Sequence, residues 1–129
     1  MSYPTVVQIL RDFEVKLARE HGPFTLFALV ERPEFPGMWD LVVAAPWFSS
    51  SDRETLDVLV QELKRGPGND VLLALSQIAI LRPTEPLVRA INDAVGHVEH
   101  GEVKLETTSL GLEGRDAIII TSQSVPRAA

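Results

Sequence analysis

Residues 39–48 read Trp-Asp-Leu-Val-Val-Ala-Ala-Pro-Trp-Phe, and the fold of the chain turns on how that stretch is placed. Trp39, Leu41, Val43 and Ala45 fall on one strand parity, Val42 and Ala44 on the other, and Asp40 is the only charged residue among them. A strand apolar on both parities is covered on both faces, which makes it an inner strand of a sheet. Pro36-Gly37 turns the chain ahead of it, and Ser49-Ser50-Ser51 follows it as the start of a helix.

Upstream, residues 24–32 form a second strand of the same kind: Phe24, Leu26, Ala28 and Val30 on one side, Phe27 and Leu29 on the other. The two strands make a hairpin. A two-residue Pro36-Gly37 turn would be type II, which splays hairpin strands, so a five-residue loop over 33–37 fits better. That register sets Val30 opposite Asp40 and Glu31 opposite Trp39. Before the hairpin, Val6, Leu10, Phe13 and Leu17 lie on one stripe of a helix running from Pro4 to about Glu20. Pro4 suits its first turn, and Gly22-Pro23 stops it.

Downstream, Ser51 and Glu54 have the spacing of a capping box, and Leu56, Leu59, Val60 and Leu63 form the buried stripe of the helix they open. Arg65-Gly66-Pro67 closes it by the same left-handed glycine stop as the first helix. Asn69 or Asp70 caps a short helical piece over 71–75. Residues 76–81 read as a third strand, with a helix continuing through Ile80 as the alternative that periodicity leaves open. Thr84 caps a helix carrying Leu87, Val88, Ile91 and Val95 and ending at Gly96. A polar segment over 97–101 leads to a strand over 102–110, where Val103 and Leu105 alternate with charged residues, and then to an inner strand over 117–122. The order is α-β-β-α-(α)-β-α-β-β. It describes a single α+β domain over residues 1–124 with a mixed sheet of about five strands, followed by a tail over 125–129.

The phrases Trp-Asp-Leu-Val-Val-Ala-Ala-Pro-Trp and Leu-Ala-Leu-Ser-Gln-Ile-Ala-Ile-Leu resemble small prokaryotic proteins of unassigned function. Both phrases are mainly core. The resemblance implies the hairpin-helix-strand order and no activity.

Composition bounds the function classes. With 129 residues, 45% hydrophobic and 23% charged, the chain has the length and balance of one globular domain. It has no cysteine, which excludes disulfides and thiolate chemistry or ligation. Twelve basic residues scattered among eighteen acids, net −6, do not make a phosphate-binding surface, so nucleic acid and anionic membranes are not expected partners. The first residues lack the pattern of a signal peptide, and no apolar run approaches a membrane span. A cytoplasmic protein is expected.

No stretch names a reaction, and no catalytic residue or cofactor is assigned. Asp40 is either a general base in an apolar setting or, as the cost of burying a lone carboxylate favours, the diagonal partner of Arg32. His97 and His100 with Glu99 and Glu102 offer metal-ligand types, but two histidines three apart on an irregular segment have no fixed geometry, and no metal site is assigned. The serines at 49–51 lack a nucleophile elbow and are explained by capping. Glu102-Val103-Lys104 matches part of a nuclease pattern that the acidic charge speaks against; Glu14-Val15-Lys16 repeats it on a helix.

Two expectations remain, from different classes. The first is a protein-interaction or self-association domain, a homodimer or a module for another protein, whose apolar surplus around Phe35, Met38 and Trp39 meets the partner. The second is a small-anion or enzymatic site where two strand-to-helix turns emerge at one edge of the sheet. Ser50, Ser51, Arg82 and Thr84 would bind the anion there, beside Trp47.

Overall fold

The computed structural model describes residues 3–31, 34, 38–106 and 116–123. Four helices and five strands follow in the order α1 (Tyr3–His21), β1 (Leu26–Glu31), β2 (Trp39–Ala44), α2 (Asp52–Arg65), α3 (Asn69–Leu73), β3 (Leu75–Leu81), α4 (Pro86–Val95), β4 (Val103–Glu106) and β5 (Asp116–Ser122). They build an α+β domain on one mixed sheet, ordered β3-β2-β1-β5-β4. The strand over 76–81 is a strand, which closes the helical alternative. The tail, Arg32, Phe35 and the Pro36-Gly37 turn lie outside the described residues.

The opening stretch is the second strand from one edge, and all six residues of β2 are buried. Its antiparallel pairing with β1 sets Val30 opposite Asp40 and Glu31 opposite Trp39, the register expected for the hairpin. On its other side β2 runs parallel to β3, Leu41 beside Ile78 and Val43 beside Ile80. β5 pairs antiparallel with β1, and β4 with β5.

Alternation along the strands splits the core in two. On one face Phe27, Leu29, Leu41, Val43, Ile118 and Ile120 pack against Val6, Leu10, Phe13 and Leu17 of α1, Leu59 and Leu63 of α2, and Val71 of α3. On the other, Leu26, Ala28, Ala44 and Ile119 meet Val88 and Ile91 of α4. Each fully buried Leu or Phe contributes about 1.5–3 kcal/mol against exposure to water. The first face, with three helices, therefore carries most of the stability.

Several local expectations change. In α2 the buried stripe is Thr55, Leu59 and Leu63, successive i+4 neighbours; Leu56 and Val60 lie one residue further round the helix and are only half-buried. Thr55 tolerates burial because its hydroxyl donates to the Ser51 carbonyl. The capping box is half made: the Glu54 N–H reaches Ser51 Oγ, while the Ser51 N–H goes to Ser49 Oγ, whose hydroxyl in turn donates to the Glu54 carboxylate. Gly66 is not left-handed (φ −94°). The positive φ falls at Gly68 (+95°), whose N–H bonds the Leu63 carbonyl, because Pro67 cannot supply that donor. α3 starts at Asn69, with Gly68 in the capping position and no side-chain cap. For α4 the capping position is Glu85 rather than Thr84, again with no side-chain bond, and Pro86 occupies the first turn.

Candidate functional site

Three places bring polar or exposed groups together. The first is the strand-to-helix edge. Because β2 and β3 are parallel neighbours, the turns that leave them for α2 and α4 emerge side by side. Arg82 reaches across: Nη1 donates to the Ser49 carbonyl at 2.8 Å, Nη2 to the Ser50 carbonyl at 3.2 Å, and Nη2 also pairs with the Asp52 carboxylate. Arg82 and Ser50 thus come into contact, while the Ser51 hydroxyl is taken up by the Glu54 N–H. The guanidinium, however, already holds two carbonyls and a carboxylate, the arrangement that fixes a loop. Thr84 is exposed in the turn.

Trp47 belongs to the neighbouring cleft of about 210 Å³ that it lines with His21, Phe48, Ser49, Glu54, Thr55 and Val58. Its ring stacks on His21 with centroids 4.8 Å apart and meets Phe24 and Phe48 edge-on. The end of α1 makes room for it. Gly22 has φ +125°, and a Cβ there would stand 3.2 Å from Trp47 Cδ1. Among the described residues the buried indole N–H has no hydrogen-bond partner.

The second place is a buried carboxylate that sequence reading passed over. Glu14 of α1 is fully buried. Its Oε1 accepts from the Thr121 hydroxyl at 2.6 Å, and its Oε2 lies 2.5 Å from His100 Nδ1. Arg11 donates to the His100 carbonyl, and the His100 N–H to Thr121 Oγ1. His100 takes φ +52°, a left-handed conformation uncommon outside glycine, so the contacts with α1 and β5 hold the residue in a strained shape. Its Nε2 stands 3.7 Å from Glu99, whose other oxygen is 3.5 Å from His97 Nε2. A carboxylate on Nδ1 fixes the ring and leaves Nε2 turned toward the surface, as in imidazoles that carry protons or ligate metals. Among the described residues no three His, Asp or Glu groups stand at metal-binding geometry. What the contacts accomplish is to tie the 97–101 segment to α1 and β5. The signal was available: Glu14 is four residues beyond Leu10 and interrupts the apolar stripe of α1.

Asp40 is also buried, and it accepts a 3.0 Å hydrogen bond from Gln77, its neighbour on β3. Arg32, the partner expected for it, lies outside the described residues.

The third place is the β3 margin. Its strand, Leu75-Ser76-Gln77-Ile78-Ala79-Ile80-Leu81, holds no charge and no proline. Ser76 and Gln77 are exposed and the other five half-buried. Leu73, just before it, is 73% exposed, and Leu56 and Val60 of α2 are half-buried. Of the residues expected at an interface, Trp39 is instead 5% exposed within the core, because its strand parity points it under α1–α3. Met38 is half-buried, and Phe35 lies outside the described residues.

Compared with known protein families, curated proteins and solved structures, the chain matches none of them. Among the described residues no helix is long and apolar enough to cross a membrane.

Proposed function

We propose that this chain is a small cytoplasmic protein-interaction domain, self-associating or binding another protein, that works through the β3 side of its sheet. The observation that carries the reading is β3 itself, an edge strand with the composition of an inner one. Proteins guard such edges with charges, proline, bulges or short strands, because unpaired N–H and C=O groups template pairing with another chain. β3 shows no charge or proline over its seven residues, and its one irregularity, a register shift against β2 at Ser76, is confined to the start of the strand. Its half-buried Ile78 and Ile80 and the exposed Leu73 add apolar area that a partner would cover. A cysteine-free chain suits the cytoplasm, where disulfides contribute little. The test is mass in solution by light scattering from low to high micromolar concentration. A mass rising above the 14.2 kDa of one chain supports self-association. A constant monomer excludes it and leaves only a different protein as partner.

A second reading, a small-anion site, draws support from the convergence of Arg82 with Ser50 and Ser51. A carboxylate or phosphate would take the place of the exposed Asp52 side chain on the guanidinium. Phosphate or citrate should then raise the thermal midpoint of the wild type and leave that of Arg82→Ala unmoved. Equal responses would assign these residues to capping alone.

A further inference from the structure

A cavity of about 340 Å³, apart from the places described above, is lined by Asn92, Asp93 and Gly96 at the end of α4, by His97, and by Gln123 just after β5. We propose that it binds a small organic cation rich in N–H donors, a primary ammonium or guanidinium compound. The site is independent of the β3 edge.

Two amide side chains face this cavity with fixed polarity. Asn92 Nδ2 lies 3.3 Å from the Thr25 carbonyl and 2.7 Å from Ser122 Oγ, and Gln123 Nε2 lies 2.7 Å from the Phe24 carbonyl. A carbonyl only accepts, so each amide must turn its nitrogen to the backbone and its oxygen away from it. Among the described residues neither oxygen has a hydrogen-bond partner, and neither is sealed from solvent. The frame that holds them is firm. Leu26 at the start of β1 pairs with Ser122 at the end of β5, the Gln123 N–H bonds the Thr25 carbonyl at 3.0 Å, and Ser122 and Val98 exchange two backbone bonds of 2.8 Å. The cavity therefore presents acceptors whose donor ends are already spent on that frame.

Charge gives the sign of the ligand. Asp93 stands in the last turn of α4, where a helix gathers the negative end of its dipole, and that turn holds no basic residue. A carboxylate at this end opposes the dipole instead of complementing it. Asp93 makes no ion pair among the described residues, and neither does Arg89 one turn earlier. His97, the basic side chain on the wall, has its Nε2 3.5 Å from the Glu99 carboxylate. A cation would meet Asp93, two amide oxygens and the end of the helix together, on a molecule of net charge −6.

Size gives the ligand class. At about 30 Å³ for each water, the cavity has room for on the order of ten. A bare metal ion, which needs its oxygens at about 2.0–2.6 Å, would not reach across it. An ammonium or guanidinium on a short carbon chain fills more of the space and brings several N–H donors to the waiting oxygens.

The test is calorimetric titration of the full chain at constant ionic strength with putrescine, agmatine, tetramethylammonium and calcium. Putrescine or agmatine should bind with a Kd of about 1 mM or tighter and raise the thermal midpoint, and the tighter of the two names the head group. Tetramethylammonium, which has the charge and no N–H, should not bind. Asp93→Asn should weaken binding about tenfold or more, while Asp57→Asn, which removes the same charge from the exposed face of α2, should leave it unchanged. The exposed position of Asp93 keeps the variant folded, and its own thermal midpoint should stay level or rise as the clash with the dipole is relieved. The proposal is overturned if neither amine binds below about 10 mM, or if Asp93→Asn and Asp57→Asn weaken binding alike, which is diffuse attraction to an acidic chain. Equal binding of tetramethylammonium, or calcium binding that displaces the amine at micromolar concentration, overturns it as well. None of these results bears on the β3 edge, whose own test is mass in solution.

Discussion

The two edges of the sheet are built on opposite plans. β4, described over Val103–Glu106, follows Glu102, carries Lys104, and exposes Val103. β3 is seven residues long, neutral, and apolar on both faces beyond Gln77. β4 lies beside β5, whose own inner residues are covered by β1, and it needs little from its outer side. β3 lies parallel to β2, the most buried strand of the fold, and continues the same two cores without anything beyond it among the described residues. The difference teaches that alternation, rather than position, tells which edge is finished. A strand patterned for an interior but placed at a margin is the feature on which the proposed interaction edge rests.

The contrast can be broken most forcefully at the strand that supports β3. Trp39 is buried in the larger core, and its backbone N–H bonds the Ala74 carbonyl at the start of β3. Trp39→Ala should cost about 3–5 kcal/mol in denaturant unfolding, the usual loss for a large buried ring. A loss below about 1 kcal/mol would remove β2 from the centre of the fold.

On the opposite side the corresponding support is polar. Glu14→Gln keeps an acceptor for Thr121 but loses the charge facing His100. We expect a loss of about 1–3 kcal/mol by urea unfolding, with local exchange of the 97–101 amides quickened. Unchanged stability and exchange would mean that the contact with His100 does not hold the segment.

A smaller effect distinguishes the edges themselves. Ser76→Lys places a charge on the exposed start of β3 and should weaken self-association at least tenfold, about 1.4 kcal/mol, without lowering the melting temperature of the monomer. Val103→Lys, the matching change on β4, should leave association unaltered. Equal effects would erase the contrast. The smallest change is expected at Arg82→Ala. Its guanidinium and the Asp52 carboxylate are both partly exposed, so solvent screening limits the loss to about 1 kcal/mol or less in thermal or denaturant unfolding. A loss above about 2 kcal/mol would mark that corner as a structural keystone.

Much of this fold was legible because periodicity reports burial. The stripe Val6, Leu10, Phe13 and Leu17 and the two-faced strands led to the helix, the hairpin register and the five-stranded sheet, and the structure has all of them. Side-chain chemistry at element ends was less legible. Ser51 and Glu54 have the spacing of a reciprocal cap, but the nearby Ser49 hydroxyl takes one half of the exchange. The Glu14–His100–Thr121 cluster joins residues far apart in sequence, and its members meet only after β5 and α1 pack together. Trp39 was expected to be mostly buried, as large aromatics usually are, and it is; its further assignment to an interface came from the apolar surplus beside Phe35 and Met38. Strand parity, counted through Leu41 and Val43, already placed it on the side that α1 covers.

Hydrogen exchange of the strand amides tests the contrast between the edges most directly. Measured across protein concentration, the outward amides of β3 should become protected as concentration rises, while those of β4 exchange at one rate throughout. Outward β3 amides that exchange as fast as those of β4 at every concentration would contradict the account, for the edge would then be open and unpaired in solution.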